Sequence, residues 1–140
     1  MNTSMCLGKA TENLVTAKLL NSLREVYTPI VDDHGVDIIV PSLSGNIYHE
    51  IQVKSIATGG LFAAFNCPNP KPNYWFVFYI WDIDTMWLIN SMDLTDPKLK
   101  LSLQNIKGKN IGKYSISLAN KKGPVAKCAQ YIITDFSKLP

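Results

Sequence analysis

The chain has 140 residues, 46% of them hydrophobic, and a formal net charge of +3. That is enough apolar material for one domain, spanning residues 1–140, with a core that needs neither disulfides nor a structural metal to fold. The longest apolar run, Tyr74 to Trp81, is too short to span a bilayer, and Met1 to Ala10 lacks the basic start and apolar stretch of a signal peptide, so a cytoplasmic protein with no membrane partner is expected. Cys6, Cys67 and Cys128 are far apart, form no CxxC pair and have His34 and His49 as their sole histidine partners, which points to reduced thiols and not to zinc ligands.

The first predicted element is a helix from Leu7 to Leu23, whose core line is Val15, Leu19 and Leu23. Glu12 lies three residues before Val15 and shares that stripe. A carboxylate there either complements the helix dipole in the first turn or belongs to a site. Glu25 to Ile30 reads as a short strand that Pro29 confines to an edge or ends. Asp32-Asp33-His34-Gly35 is a turn, in which His34 is read as a turn residue.

Val36 to Pro41 and Ile47 to Lys54 follow as two strands, joined by Ser42-Leu43-Ser44-Gly45-Asn46 into an antiparallel hairpin. Successive side chains on a strand point to opposite faces, so Glu50, Gln52 and Lys54 share one face while His49, Ile51 and Val53 share the other. A carboxylate, an amide and a lysine in a row beside Asp37 are costly to bury unpaired, and a metal or an anionic substrate would account for them. His49, on the Ile51 and Val53 face, is read as a packed or edge histidine.

Ser55 to Asn73 carries Gly59-Gly60 and prolines at 68, 70 and 72, which argues against a long helix. Tyr74 to Trp81 has no polar alternation and reads as a central strand covered on both faces, its aromatics being core and not a base-stacking platform. Asp82 to Thr85 turns the chain into a partner strand, Met86 to Asn90, and Ser91 is placed to cap a short helix. A strand over Lys113 to Leu118 and an at least partly helical segment from Ala126 to Leu139 complete the chain.

Charge is divided unevenly: residues 1–96 carry a net −5 and residues 97–140 a net +8. Lys98, Lys100, Lys107, Lys109, Lys113, Lys121, Lys122 and Lys127 either form a solvated surface or follow a phosphate backbone, with Lys107, Lys109, Lys113, Lys121 and Lys122 as the candidate nucleic-acid contacts. The segment has no arginine, so bidentate reading of guanine is not expected from it.

A helix glutamate (Glu12), an aspartate on the following hairpin (Asp37) and a Glu50-x-Gln52-x-Lys54 comb on the next strand resemble the PD-(D/E)XK, or restriction endonuclease-like, nuclease superfamily over about residues 8–55. Gln52 stands where most members carry Asp or Glu, similar to a Q-x-K branch, and Val36 stands in place of the motif proline. The resemblance implies an α/β fold, a mixed β-sheet flanked by helices, with an α-β-β-β core followed by further strands and a C-terminal helix. It also implies an endonuclease that hydrolyses phosphodiester bonds, DNA being the expected substrate. Asp37, Gln52 and Glu12 would then hold Mg²⁺, or Mn²⁺ in its place, and Lys54 would position the nucleophile or stabilise the charge that develops. Glu50 would either add to the site the charge that Gln52 lacks or bridge to Lys54 as a structural pair. The alternative is a catalytically weak or inactive domain of the same fold serving as a nucleic-acid or protein interaction module. A chain of this size has little surface beyond such a site for target recognition, so a homodimer or a partner subunit is expected.

Overall fold

The computed structural model describes residues 3–31, 35–58, 63–66, 70–99, 102–103 and 114–140. Helix α1 (Thr3–Asn21) is followed by β1 (Ile38–Pro41), β2 (Tyr48–Ile56), β3 (Ala63–Phe65), β4 (Tyr74–Ile80), β5 (Thr85–Asn90), β6 (Ser102–Leu103), β7 (Tyr114–Ile116), β8 (Ala119–Asn120), β9 (Gly123–Pro124) and β10 (Ile132–Ile133). A 5-stranded mixed sheet runs in the order β1-β2-β4-β5-β10, with β2 and β4 parallel and its other neighbours antiparallel. The α/β architecture expected from the sequence is therefore present. A smaller sheet, β3-β7-β6, includes part of the crossover that a parallel β2–β4 pair requires.

Side-chain alternation on β4 divides the core in two. Val77 and Tyr79 face α1, where Val15 and Leu19 pack with Ile38, Val40, Ile51 and Val53. Tyr74, Phe76, Phe78 and Ile80 face the other way, onto Phe65, Trp87, Ile89 and Ile116. Both sides of β4 are dry, as its unbroken apolar sequence requires.

Several boundaries differ from expectation for identifiable reasons. Helix α1 spans Thr3–Asn21 and stops before Leu23, because Leu23 adopts a left-handed conformation (φ 57°). The Arg24 N–H then reaches the Leu19 carbonyl at 3.1 Å and the Leu23 N–H the Leu20 carbonyl at 2.9 Å, a Schellman closure. The strand expected over Glu25 to Ile30 reduces to one antiparallel bridge between Tyr27 and Ile39, since Pro29 offers no N–H to extend it. Ser91 does not cap a helix. Its hydroxyl donates to the Lys71 carbonyl at 2.8 Å and accepts from the Lys71 N–H at 2.9 Å, and the turn that follows, Asp93–Thr95, is a 3₁₀ helix. The C-terminal segment is helical in part, as a 3₁₀ helix over Ala126–Tyr131 and not an α-helix; Ile132 and Ile133 then pair with Trp87 and Met86 of β5.

Candidate active site

The site forms where β1 leaves β2. Their pairing runs from Pro41↔Tyr48 to Ile38↔Ile51, and the Asp37 N–H still donates to the Ile51 carbonyl at 2.9 Å. At the next rung a side chain replaces the backbone: Asp37 Oδ2 accepts the Val53 N–H at 2.6 Å. The carboxylate thus lies at the sheet edge level with residues 52 to 54, between the face that carries α1 and the face that carries the comb.

On the α1 side, Asp37 and Glu12 line one cleft of about 460 Å³, with Lys9, Gly8, Thr28 and Val36 among its other walls. Glu12 is half-buried and pairs with Lys9 at 2.7 Å along the same helix. That contact and the Glu12 charge, with a smaller contribution from Asp37, raise the Lys9 pKa. The resemblance implied that Glu12 and Asp37 would meet, and the fold brings them to one cleft.

Gln52 and Lys54 occupy the opposite face of β2, since the intervening Val53 and the adjacent Ser55 face α1. Gln52 is buried, at 8% exposure. Its Oε1 accepts from the Tyr74 hydroxyl at 3.3 Å, and that hydroxyl also lies 3.4 Å from the Gly35 carbonyl. Gly35 closes over the amide: a Cβ there would lie 2.5 Å from Gln52 Nε2, and its φ of +70° favours glycine independently. Lys54, half-buried, sits beside Phe78 in the parallel register. The comb face is not charged throughout, because beyond Lys54 it continues as buried Ile56 against the aromatic side of the core.

Glu50 does not bridge to Lys54 in this structure. It pairs with Lys71 at 3.0 Å, and the Lys71 ammonium stands 5.8 Å from the Tyr74 ring centre. His49 is buried, as its face predicts. Lys121 and Lys122 are exposed at the β8–β9 turn and Lys98 is exposed as well, whereas Lys127 Nζ donates to the Leu99 carbonyl at 2.8 Å. His34, Cys67, Lys100, Lys107, Lys109 and Lys113 lie outside the described residues.

Two carboxylates on one cleft form an all-oxygen donor set, which suits a hard cation that keeps several waters. No cluster of three His, Cys, Asp or Glu side chains occurs among the described residues, so a metal held here would draw part of its shell from water, substrate or the amide side of β2. Tyr74 and Gly35 are neighbours of Gln52 that sequence reasoning does not assign to the site. Gly35 alone left a signal, as the glycine of a turn just ahead of Asp37.

No protein-family model and no curated protein matches the sequence. Among solved structures, the chain is similar to that of a bacterial homing endonuclease, I-Ssp6803I, with a TM-score of 0.62 over 94% of this chain and 88% of that one. At 14% identity the likeness is one of fold: this chain has a nuclease-like α/β fold.

Proposed function

We propose that the chain is a metal-dependent endonuclease of the PD-(D/E)XK type in its Q-x-K form, cleaving phosphodiester bonds in nucleic acid, with DNA as the first substrate to try. The observation that carries this reading is the Asp37 carboxylate at the parting of β1 and β2, sharing a cleft with Glu12 while Gln52 and Lys54 flank it on the adjoining strand. The fold shared with a homing endonuclease supports it.

In this reading Asp37 and Glu12 hold the cation, and for Gln52 to join them its amide oxygen must exchange the Tyr74 hydroxyl for the metal. A bound Mg²⁺ or Mn²⁺ would supply charge neutralisation at the scissile phosphate and lower the pKa of water. The chain's own groups do the rest. The Val53 N–H fixes the Asp37 carboxylate, Tyr74 and Gly35 fix the Gln52 amide, and Lys54 brings a compact cation to the charge that develops on phosphorus. Glu50, paired with Lys71, shapes the field around the comb. Lys121 and Lys122 are available to the phosphate backbone, which predicts binding that weakens as salt rises. A homodimer would give so small a chain the surface it needs for a duplex; light scattering showing monomer alone at working concentration would remove that part.

The test is metal titration and plasmid nicking by the unaltered protein and by an Asp37→Ala, Lys54→Ala pair. Binding and nicking lost together support the nuclease, and nicking retained by the pair sinks it. The second reading, an inactive domain serving as an interaction module, is favoured by the hydrogen bond that commits Gln52 Oε1 to Tyr74. Nucleic-acid binding without metal binding or nicking would select it.

A further inference from the structure

Helix α1 meets β2 and β4 mainly through Val15 and Leu19 against Ile51, Val53 and Val77, and contacts of that kind are non-directional. A polar node interrupts them. The Thr11 side chain, with no exposed surface, has its hydroxyl 2.9 Å from Ser55 Oγ and 2.8 Å from the Leu7 carbonyl. The Trp81 indole N–H donates to both hydroxyl oxygens, at 3.1 Å to Thr11 and 3.0 Å to Ser55. Helix, comb strand and the end of β4 are thus tied by bonds that weaken steeply with misalignment, unlike methyl packing.

The node has a telling place in the chain, because Thr11 precedes Glu12 and Ser55 follows Lys54. The ion pair of Glu12 with Lys9 lies within α1 and moves with it, so it does not set where Glu12 stands relative to Asp37. We propose that the Thr11–Ser55–Trp81 network is a positioning device that fixes the register and rotation of α1 on β2, and thereby holds Glu12 against Asp37 across the cleft. Its consequence for catalysis rests on the nuclease reading; the positioning itself can be read without any cleavage.

Two readouts test it, using Thr11→Val, Ser55→Ala as a second route to the same break, and Thr11→Ser as the restoring change. The first is the NMR titration midpoint of the Asp37 carboxyl, which Glu12→Gln is expected to lower in the otherwise unaltered protein if the two carboxylates that line the cleft are held together. That displacement is expected to fall by at least half when Thr11→Val or Ser55→Ala is present and to return with Thr11→Ser. The second is metal-dependent plasmid nicking. A misplacement of about 1 Å can cost about a hundredfold, so Thr11→Val is expected to slow nicking roughly tenfold to a hundredfold when Glu12 is present and less than about twofold in the Glu12→Gln background. No displacement in the unaltered protein, or one that the node variants leave unchanged, overturns the proposal whatever the nicking shows, and so does an equal fold-loss in both backgrounds. Lost coupling in a protein that never nicks DNA supports the positioning and overturns the nuclease reading.

Discussion

The two ends of the β1–β2 hairpin both carry polar side chains, and they use them in opposite ways. At the closed end Arg24 and His49 are buried, at 7% and 1% exposure, and both are hydrogen-bonded to the surrounding structure. The Arg24 guanidinium donates to the Leu139, Pro41 and Pro140 carbonyls at 2.7, 2.8 and 3.2 Å. His49 Nδ1 accepts the Trp75 indole N–H at 3.1 Å, which leaves Nε2–H to donate to the Pro140 carbonyl at 2.6 Å and fixes a neutral tautomer. At the open end Asp37 and Glu12 stand half-buried in a cleft, two like charges facing the same space. Polar groups buried against carbonyls hold a fold together, whereas two carboxylates gathered at a concave edge are what a cation can satisfy.

The sharpest way to break that contrast is at Asp37, whose carboxylate holds the Val53 N–H and, in the nuclease reading, the cation as well. Asp37→Asn keeps an oxygen for the Val53 N–H but removes the charge. Nicking should fall about a hundredfold to a thousandfold, the scale seen when one transition-state-stabilising group is lost. The urea midpoint should stay close to that of the unaltered protein, whereas Asp37→Ala, which strands the Val53 N–H, should cost a further 1–3 kcal/mol or about that. Equal loss of stability in both variants would show that the charge and not the hydrogen bond holds this rung.

The closed end predicts the reverse pattern. Arg24→Met removes the donor to the Leu139 and Pro41 carbonyls and leaves Pro140 with His49 alone, and should cost about 2–4 kcal/mol in denaturant unfolding. Nicking per folded molecule should be nearly unchanged. A large catalytic loss at full folding would mean the two ends are coupled.

His49 gives the same end a pH signature. Burial foremost, and the Arg24 charge after it, lower the His49 pKa, while the Pro140 carbonyl pulls the other way. The folded chain therefore holds this histidine neutral below the range in which an unfolded one takes up its proton, about pH 6.5. Its contribution to stability is fully present above that value and declines as pH falls toward the folded pKa, since the unfolded chain binds the extra proton. Urea midpoints from pH 8 to 5 should fall with a slope of at most about 1.4 kcal/mol per pH unit from this group, and His49→Gln should flatten it. An unaltered slope in that variant would assign the pH dependence to other groups.

The contrast between the two ends also marks what could be read before folding. The hairpin, its turn and the sharing of a face by Gln52 and Lys54 were legible because strand alternation is local and short turns leave glycine and asparagine behind. The burial of His49 was legible for the same reason, as it alternates in step with Ile51 and Val53. That Glu12 and Asp37 meet was legible only through the family resemblance; no local rule joins a helix to a strand edge. Tyr74 over Gln52 was not legible, because a parallel β2–β4 pairing is set by a crossover through residues 57–73 that has no periodicity to fix its register. Spacing along one strand offers Glu50 either a share in the site or a bridge to Lys54; Lys71, from the segment ahead of β4, pairs with it instead of Lys54. Arg24 leaves no local signal, since an arginine after a helix reads as solvated and its acceptors include Leu139 and Pro140, more than a hundred residues on.

Leu23 is where the sequence misleads most, and it tests how Arg24 reaches the closed end. Leu19 and Leu23 are one helical turn apart and read as a continuous core line, but Leu23 is 94% exposed and left-handed, while Leu19 is fully buried. The left-handed residue is what turns the chain so that the Arg24 N–H closes on Leu19 and the arginine follows into the fold. A leucine in that conformation is disfavoured by about 1–2 kcal/mol, part of which glycine would give back as lost chain entropy. Leu23→Gly should therefore raise stability by about 0.5–1 kcal/mol and leave nicking and the His49 pH slope as they were. A loss of stability instead would mean that the exposed leucine side chain is covered by something beyond the single chain, and light scattering would test whether a second copy of the chain covers it.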